Sequence, residues 1–308
     1  SVSIPAFRVD DMANKAGFFA AQMLDNPSHK MTVIGITGTN GKTSCAHYVA
    51  QALTALGKKA ALIGTVGNGF PDALEAATHT TPDSIRLQQL LAGFHEQGAD
   101  AVVMEVSSHA LDQGRVAGVQ FDAVALTNLS RDHLDYHGSM QAYADAKSQL
   151  FLAKRHRADG EGVTPHITLN ADDDFGCRLA EQLANNNQPF YRYSVHCSVA
   201  SEVRVQYSEL SPEGVALDIS MPNGEIHFHA AVVGDFNIAN LLLVVSVLAQ
   251  LGLTNAEIET AMAQVSAVPG RMECLVKTGF PAMIIDYAHT PDALKKALHA
   301  ARKHCKQK

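Results

Sequence analysis

The chain has 308 residues, 46% hydrophobic and 18% charged, with a formal net charge of −7. That balance describes an ordinary globular protein and weighs against a nucleic-acid-binding surface, while the length suits two domains or one large domain plus a fragment. Five scattered cysteines (Cys45, Cys177, Cys197, Cys274 and Cys305) lack zinc-ligand and redox spacing, which fits reduced thiols in a cytoplasmic protein.

In chain order, Ser1-Val2-Ser3-Ile4-Pro5 shows no basic and then apolar leader, so no signal peptide is expected. An apolar run predicts a strand over Val33–Thr37, followed by a glycine-rich turn and a helix over Ala46–Leu56. A strand is predicted over Ala60–Gly64 and a helix over Ser84–Gln97. The β-branched run Ala101–Val106 and the shorter Ala123–Asn128 and His166–Asn170 predict three further strands. This alternation predicts an α/β fold, a P-loop-type, mainly parallel sheet flanked by helices, with ligands beyond the carboxyl ends of its strands. Between Tyr191 and Val233 the pattern changes. Val203–Tyr207, Val215–Met221 and Ile226–Val232 alternate, separated by Ser211-Pro212-Glu213-Gly214 and Pro222-Asn223-Gly224, which predicts an added antiparallel meander. Helices follow over Asn237–Leu251 and Asn255–Val265. The longest apolar run, Leu241–Ala249, is too short to span a bilayer, so no membrane partner is expected. Val268-Pro269-Gly270-Arg271 reads as a hinge. Ile284–Asp286 and a helix over Pro291–Lys303 then open a second α/β unit that one strand and one helix cannot complete. The expected division is a linker over 1–30, a central domain over 31–269 and the truncated start of another domain over 270–308.

The most informative stretch is Gly35–Thr43, which contains Gly38-Thr39-Asn40-Gly41-Lys42-Thr43. A glycine-rich turn between strand and helix lets backbone N–H groups converge on phosphate oxygens. Lys42 would face the β/γ-phosphates and Thr43 would give a hydroxyl to Mg²⁺. The spacing departs from G-x-x-x-x-G-K-[ST], since Ile36 stands five before Gly41. A plain turn without ligand is the bland alternative. Glu105, at the end of a buried-strand pattern, is placed to hold Mg²⁺; alternatively it is a helix N-terminal charge. The cluster Thr127–His137 follows an apolar strand, and His133 and His137 are spaced to share a helical face. Its oxygen-rich surroundings suit Mg²⁺ better than zinc, and a structural polar loop explains it equally well. Lys147 reads as a solvated helix lysine.

Together these motifs resemble the Mur ligase family, ATP-dependent amide-forming enzymes of peptidoglycan synthesis. The resemblance is carried by Gly38–Thr43, Gly64–Gly69 (GTVGNG), Thr80-Thr81-Pro82, Met104–Val116 (MEVSSHALDQGRV) and Thr127–Gly138 (TNLSRDHLDYHG). Gly234–Leu243 (GDFNIANLLL), Gly270–Glu273 (GRME) and Asp286–Leu294 (DYAHTPDAL) complete it, from about residue 30 to the end. The blocks are most similar to members that add the third amino acid to UDP-N-acetylmuramoyl-L-alanyl-D-glutamate. The resemblance implies that Gly38, Thr39, Asn40, Gly41, Lys42, Thr43 and Ser44 bind ATP, with Asn237, Asn240, Arg271 and Asp286 also at the nucleotide. It implies that Thr43, Glu105, His133 and Lys147 organise Mg²⁺, Lys147 as a carbamate, with Lys42, Glu105, His133 and Lys147 serving the chemistry. Thr80, Thr81, Ser107, Gln113 and Arg115 match positions that hold the UDP-N-acetylmuramoyl-dipeptide. His79 stands where asparagine is expected, and Ser44-Cys45 where threonines are.

The implied reaction runs through an acyl phosphate to an amide with a diamino acid, meso-diaminopimelate before L-lysine. A cytoplasmic monomer is expected, and relatives carry further domains on both sides, so this chain should bind nucleotide yet ligate poorly. Folylpolyglutamate synthase is the nearest rival, though Gln113–Val116 and Arg131–Gly138 weigh against it. A non-catalytic nucleotide-binding domain is the rival from another class, and a P-loop kinase or motor ATPase fits less well.

Overall fold

The computed structural model describes residues 9–152, 164–197, 200–211, 213–275, 280–281, 283–288 and 291–304. Chain order begins with α1 (Met12–Met23), β1 (Thr32–Thr37), α2 (Lys42–Ala55), β2 (Ala60–Ile63), β3 (Asn68–Phe70) and β4 (Ala73–Glu75). Next come α3 (Ser84–Glu96), β5 (Ala101–Glu105), α4 (Ser108–Asp112), β6 (Ala123–Leu126), α5 (Leu134–His137), α6 (Met140–Leu152), β7 (His166–Asn170) and α7 (Asp174–Asn185). The chain continues with β8 (Tyr191–Ser194), β9 (Val203–Ser211), β10 (Gly214–Met221), β11 (Gly224–Ala230), α8 (Phe236–Gln250) and α9 (Asn255–Met262). It closes with β12 (Glu273–Leu275), β13 (Met283–Ile285) and α10 (Pro291–His304).

Among the described residues, one sheet of eleven strands runs β11-β10-β9-β8-β7-β6-β1-β5-β2-β3-β4. From β2 through β5, β1, β6, β7 and β8 to β9 every pairing is parallel. At each side antiparallel pairs complete it, β3 and β4 on one and β10 and β11 on the other. The predicted meander is therefore real but continuous with the parallel sheet, because β9 pairs with β8. The β3–β4 hairpin is too short to leave an alternation in the sequence.

Period-two alternation splits the strand side chains between two cores. Ile34, Ile36, Val103 and Ala125 pack with α2, α8 and α9 on one face. Val33, Val102, Met104, Val124 and Leu126 pack with α3, α6 and α7 on the other. The outermost strand β11 turns Ile226, Phe228 and Ala230 inward and leaves Glu225, His227 and His229 exposed. There Glu259 of α9 accepts the backbone N–H of His227 at 2.8 Å.

Within the stretch expected as a linker, α1 packs on α3, buries Ala21 and leaves Phe18 and Phe19 exposed. Beyond the hinge, β13 pairs antiparallel with β12 as a separate small sheet, and Val233, Met272 and Ala300 form a minor cluster with it. Among the described residues no helix is long and apolar enough to cross a membrane. The opening residues Ser1–Pro5, Pro212 of the predicted turn, His289 and Thr290 of the last motif, and Cys305 lie outside the described residues.

Candidate nucleotide and substrate site

The loop at the carboxyl end of β1 is shaped by its two glycines. Gly38 has φ +146°, and a Cβ there would fall 1.9 Å from Thr127 Oγ1. Gly41 has φ +86°, with a Cβ position 2.5 Å from Asn240 Oδ1. Only glycine fits both the backbone and the space. The carboxyl end of β6 braces the loop from behind. Thr39 N donates to Asn128 O at 2.8 Å and Asn40 N to Asn128 Oδ1 at 3.0 Å, while Thr127 Oγ1 donates to Asn40 O at 2.7 Å. Helix α2 starts at Lys42, four residues before the predicted Ala46, with Gly41 as N-cap and no side-chain cap. Its first N–H groups, in Lys42, Thr43 and Ser44, are thus left for an anion. Lys42 Nζ folds back onto Gly38 O at 2.9 Å and Thr39 O at 2.8 Å. Burial lowers its pKa, against the opposing pull of Glu105.

Glu105 ends β5 beside the loop and is only 2% exposed. Its Oε2 accepts from Thr43 Oγ1 at 3.0 Å and Thr65 Oγ1 at 3.2 Å, and Oε1 accepts from Thr65 N at 2.8 Å. A buried carboxylate served by hydroxyl and amide donors, with a second oxygen ligand adjacent, fits a hard divalent cation such as Mg²⁺. Thr43 and Glu105 are the residues that would hold it. Among the described residues, no three His, Cys, Asp or Glu side chains converge as a metal cluster. His133 instead has left-handed backbone at φ 52° and meets His109 edge-on, ring centroids 4.9 Å apart.

The residues matched to the muramoyl substrate gather on the same rim. Thr81 Oγ1 donates to Glu105 O at 2.8 Å, and Ser107 N donates to Thr81 Oγ1 at 3.0 Å. Arg115 Nη1 donates to Thr81 O at 3.0 Å, and Gln113 sits against the same guanidinium. Thr80 shares a 3.1 Å hydroxyl contact with Thr65. His79 is exposed and pairs with Thr78 at 3.1 Å.

Lys147 departs most from its sequence reading. Taken from the residues alone it is a solvated lysine; in the structure it is 1% exposed and donates to Gly38 O at 2.9 Å. Helix α6 turns it inward beside Tyr143, whose ring lies 4.6 Å from Nζ. Burial, and then the charge of Lys42, push its amine well below the ordinary lysine value.

Asn240 lies against Gly41, one turn beyond Asn237 on α8. Asn237 is wholly engaged: Nδ2 donates to Val233 O at 2.8 Å, and Oδ1 accepts from Tyr48 Oη at 3.2 Å and Asn240 Nδ2 at 2.8 Å. Arg271 Nη2 reaches Thr43 Oγ1 at 3.5 Å, and its guanidinium lies 4.9 Å from the Tyr287 ring centre. Asp286 accepts from Met272 N and Ala288 N, each at 2.9 Å, and so braces the hinge. Sequence reasoning passed over Thr65, Asn128, Tyr143 and His47, all at the loop or the helix behind it. Thr65, Asn128 and Tyr143 sat inside or beside motifs already singled out; His47 carried no signal.

A strand–loop–helix cradle for phosphate, with a buried carboxylate on the neighbouring parallel strand, defines an α/β protein of the phosphate-loop class. A family profile described as the Mur ligase middle domain matches residues 36–248. The chain is 46% identical over 294 residues to the UDP-N-acetylmuramoyl-L-alanyl-D-glutamate--2,6-diaminopimelate ligase of Chromobacterium violaceum, covering 96% of this chain and 57% of that protein. It is 43% identical over 300 residues to the ligase of the same name from Pseudomonas aeruginosa, covering 97% and 59%. This chain belongs to the Mur ligase family. A solved structure of a ligase of that name superposes with a TM-score of 0.83 at 28% identity, covering 98% of this chain and 60% of the other. Folylpolyglutamate synthase of Mycobacterium tuberculosis, solved with ADP and AMPPCP, shares the fold at TM-score 0.74 and 18% identity, covering 94% and 70%. The chain spans less than two thirds of the length of the curated relatives it matches.

Proposed function

We propose that this chain carries the ATP-binding part of a ligase that joins meso-diaminopimelate, in preference to L-lysine, to UDP-N-acetylmuramoyl-L-alanyl-D-glutamate. The observation that carries the reading is Thr81, whose hydroxyl donates to the main-chain carbonyl of Glu105 and whose own carbonyl accepts from Arg115. One residue thereby ties the backbone that carries the buried carboxylate to a guanidinium suited to a substrate carboxylate. Lys42 and the first N–H groups of α2 receive the β/γ-phosphates, and Asn240 keeps the loop in shape. Thr43 and Glu105 would hold Mg²⁺, which would supply charge neutralisation between two anionic reactants. Arg115 directs the D-glutamyl carboxylate at the γ-phosphorus; that bond forms as the bond to ADP breaks. The amine of the incoming diamino acid then attacks the acyl carbon, and phosphate leaves. Positioning and charge stabilisation carry both steps.

Burial and the charge of Lys42 favour the neutral amine of Lys147, the form that adds CO₂, and as a carbamate it would bring an anion to the loop. Residues 31–269 would form the central domain, and 270–308 the opening of the domain that selects the amino acid, with Arg271 and Asp286 at the hinge. The chain alone would then bind nucleotide and turn over slowly. Calorimetry with Mg²⁺-AMPPCP should show binding that is lost on Lys42→Ala. Phosphate release from ATP and the UDP-muramoyl-dipeptide should depend on meso-diaminopimelate in a protein of the relatives' full length. Release driven by folate and glutamate instead would replace this reading with the folylpolyglutamate synthase alternative.

A further inference from the structure

Beside Arg115 the side chains form one continuous hydrogen-bond chain. Tyr136 Oη, on α5, donates to Asp112 Oδ2 at 2.7 Å and accepts from Gln113 Nε2 at 3.0 Å. Gln113 Oε1 accepts from Arg115 Nε at 2.9 Å and Nη2 at 2.6 Å. Arg115 Nη1 donates to Thr81 O at 3.0 Å.

Direction runs one way along this chain. A guanidinium only donates and an ionised carboxylate only accepts, whereas a primary amide has one end of each kind. Gln113 serves Arg115 only with its oxygen turned toward it, so its NH₂ must be received on the other side. Tyr136 receives it because Asp112 takes the phenolic proton and turns a lone pair to Gln113. The Tyr136 ring is itself seated, 4.1 Å from the His109 ring centre and 4.8 Å from that of His137. With Nε, Nη1 and Nη2 each engaged once, Arg115 has one further N–H on each terminal nitrogen to offer a carboxylate.

We propose that Tyr136 and Asp112 are positioning residues that act through Gln113 to fix the Arg115 guanidinium for a carboxylate ligand. The inference rests on the reading of Arg115 as a contact of the substrate carboxylate. Neither residue touches the reacting atoms. Both govern how the cation that does so is aimed.

Two measurements on the 308-residue chain test it separately. The first is solvent exchange of the ¹⁵N-labelled Arg115 Nε–H in the native chain, Tyr136→Phe and Asp112→Leu. Loss of one ordinary hydrogen bond from the relay should speed exchange about fivefold in either variant. Asp112→Leu keeps the branched shape of the side chain without an acceptor, so it also controls for any folding defect of Tyr136→Phe. Unchanged exchange in both variants overturns the proposal. The second is calorimetric affinity for UDP-N-acetylmuramoyl-L-alanyl-D-glutamate with Mg²⁺-AMPPCP present. Tyr136→Phe should weaken binding about fivefold in the native background and have no further effect in the Arg115→Lys background. An equal loss in both backgrounds overturns the proposal, since Tyr136 would then act without Arg115. Faster exchange together with full affinity in Arg115→Lys instead removes Arg115 from the substrate site. In that case the reading under the proposal fails, while the hydrogen-bond relay stands.

Discussion

Lys42 and Lys147 donate to the same carbonyl oxygen, Gly38 O, each at 2.9 Å. Two ammonium groups sharing one acceptor in a buried site repel each other, and the more buried of them sheds its proton more readily. Burial and the charge of Lys42 hold the Lys147 amine well below its usual value. CO₂ adds only to a neutral amine, so Lys147 should carry a carbamate in ¹³C-bicarbonate. A carbamate resonance is expected by NMR and should be missing in Lys147→Ala. It should weaken as pH falls through the depressed pKa, because the amine is then protonated. A native spectrum without that resonance would sink the assignment.

Glu105→Gln should separate cation binding from stability. The amide keeps one acceptor for Thr65 N, and the Thr43 and Thr65 hydroxyls can reverse and accept from its NH₂. Stability should change by no more than about 1 kcal/mol, because hydrogen bonds are exchanged and a buried charge is removed. Affinity for Mg²⁺-AMPPCP should fall about tenfold or more, in line with loss of an anionic ligand to the ion. Thermal melting and calorimetry on the same variant decide it; equal nucleotide affinity would remove Glu105 from the cation site.

Asn237 and Asn240 should behave differently although one helical turn separates them. Asn237→Ala strips partners from Tyr48 Oη, Asn240 Nδ2 and Val233 O in the interior. A loss of about 2–3 kcal/mol is expected from groups left unpaired. Asn240→Ala should chiefly weaken nucleotide binding, since its side chain lies against Gly41. Denaturant unfolding and nucleotide titration of both variants would show whether the two effects divide in this way.

His47 supplies a pH dependence. Burial, and then the charge of Arg271, lower its pKa to about 4. Between that value and about 6.5 the unfolded chain binds a proton that the folded chain refuses, so stability falls as pH falls through this window. The loss is at most about 3 kcal/mol. His47→Gln should flatten the slope of stability against pH between about 6.5 and 4. An unchanged slope would show that other groups carry it.

The phosphate loop, the strand that ends in Glu105 and the alternation of the main parallel strands with helices were legible because local pattern determines them, whereas helix α7 and the short strands β3, β4, β8 and β12 were passed over. The lateral order of the strands was not legible, since nothing in the sequence says that β1 lies between β5 and β6. Helix α1 was hidden in a stretch taken as a linker: its apolar residues are only partly buried, so they leave a weak periodic signal. The burial of Lys147 could not be read from the residues around it. A lysine on a helix is ordinarily solvated, and its burial here depends on packing between α6 and a loop more than a hundred residues away in the chain. The different positions of Asn237 and Asn240 likewise depend on the rotation of α8 about its axis, which composition does not record.

A sheet of eleven strands offers neighbouring molecules two rims of unpaired amides. One rim is β4, only three residues long. At the other, Glu259 already occupies the N–H of His227, and the outward residues of β11 are Glu225, His227 and His229. A second copy arriving edge-on meets a capped amide and a row of polar side chains. Each of these features makes the sheet edge a poorer template for a further strand.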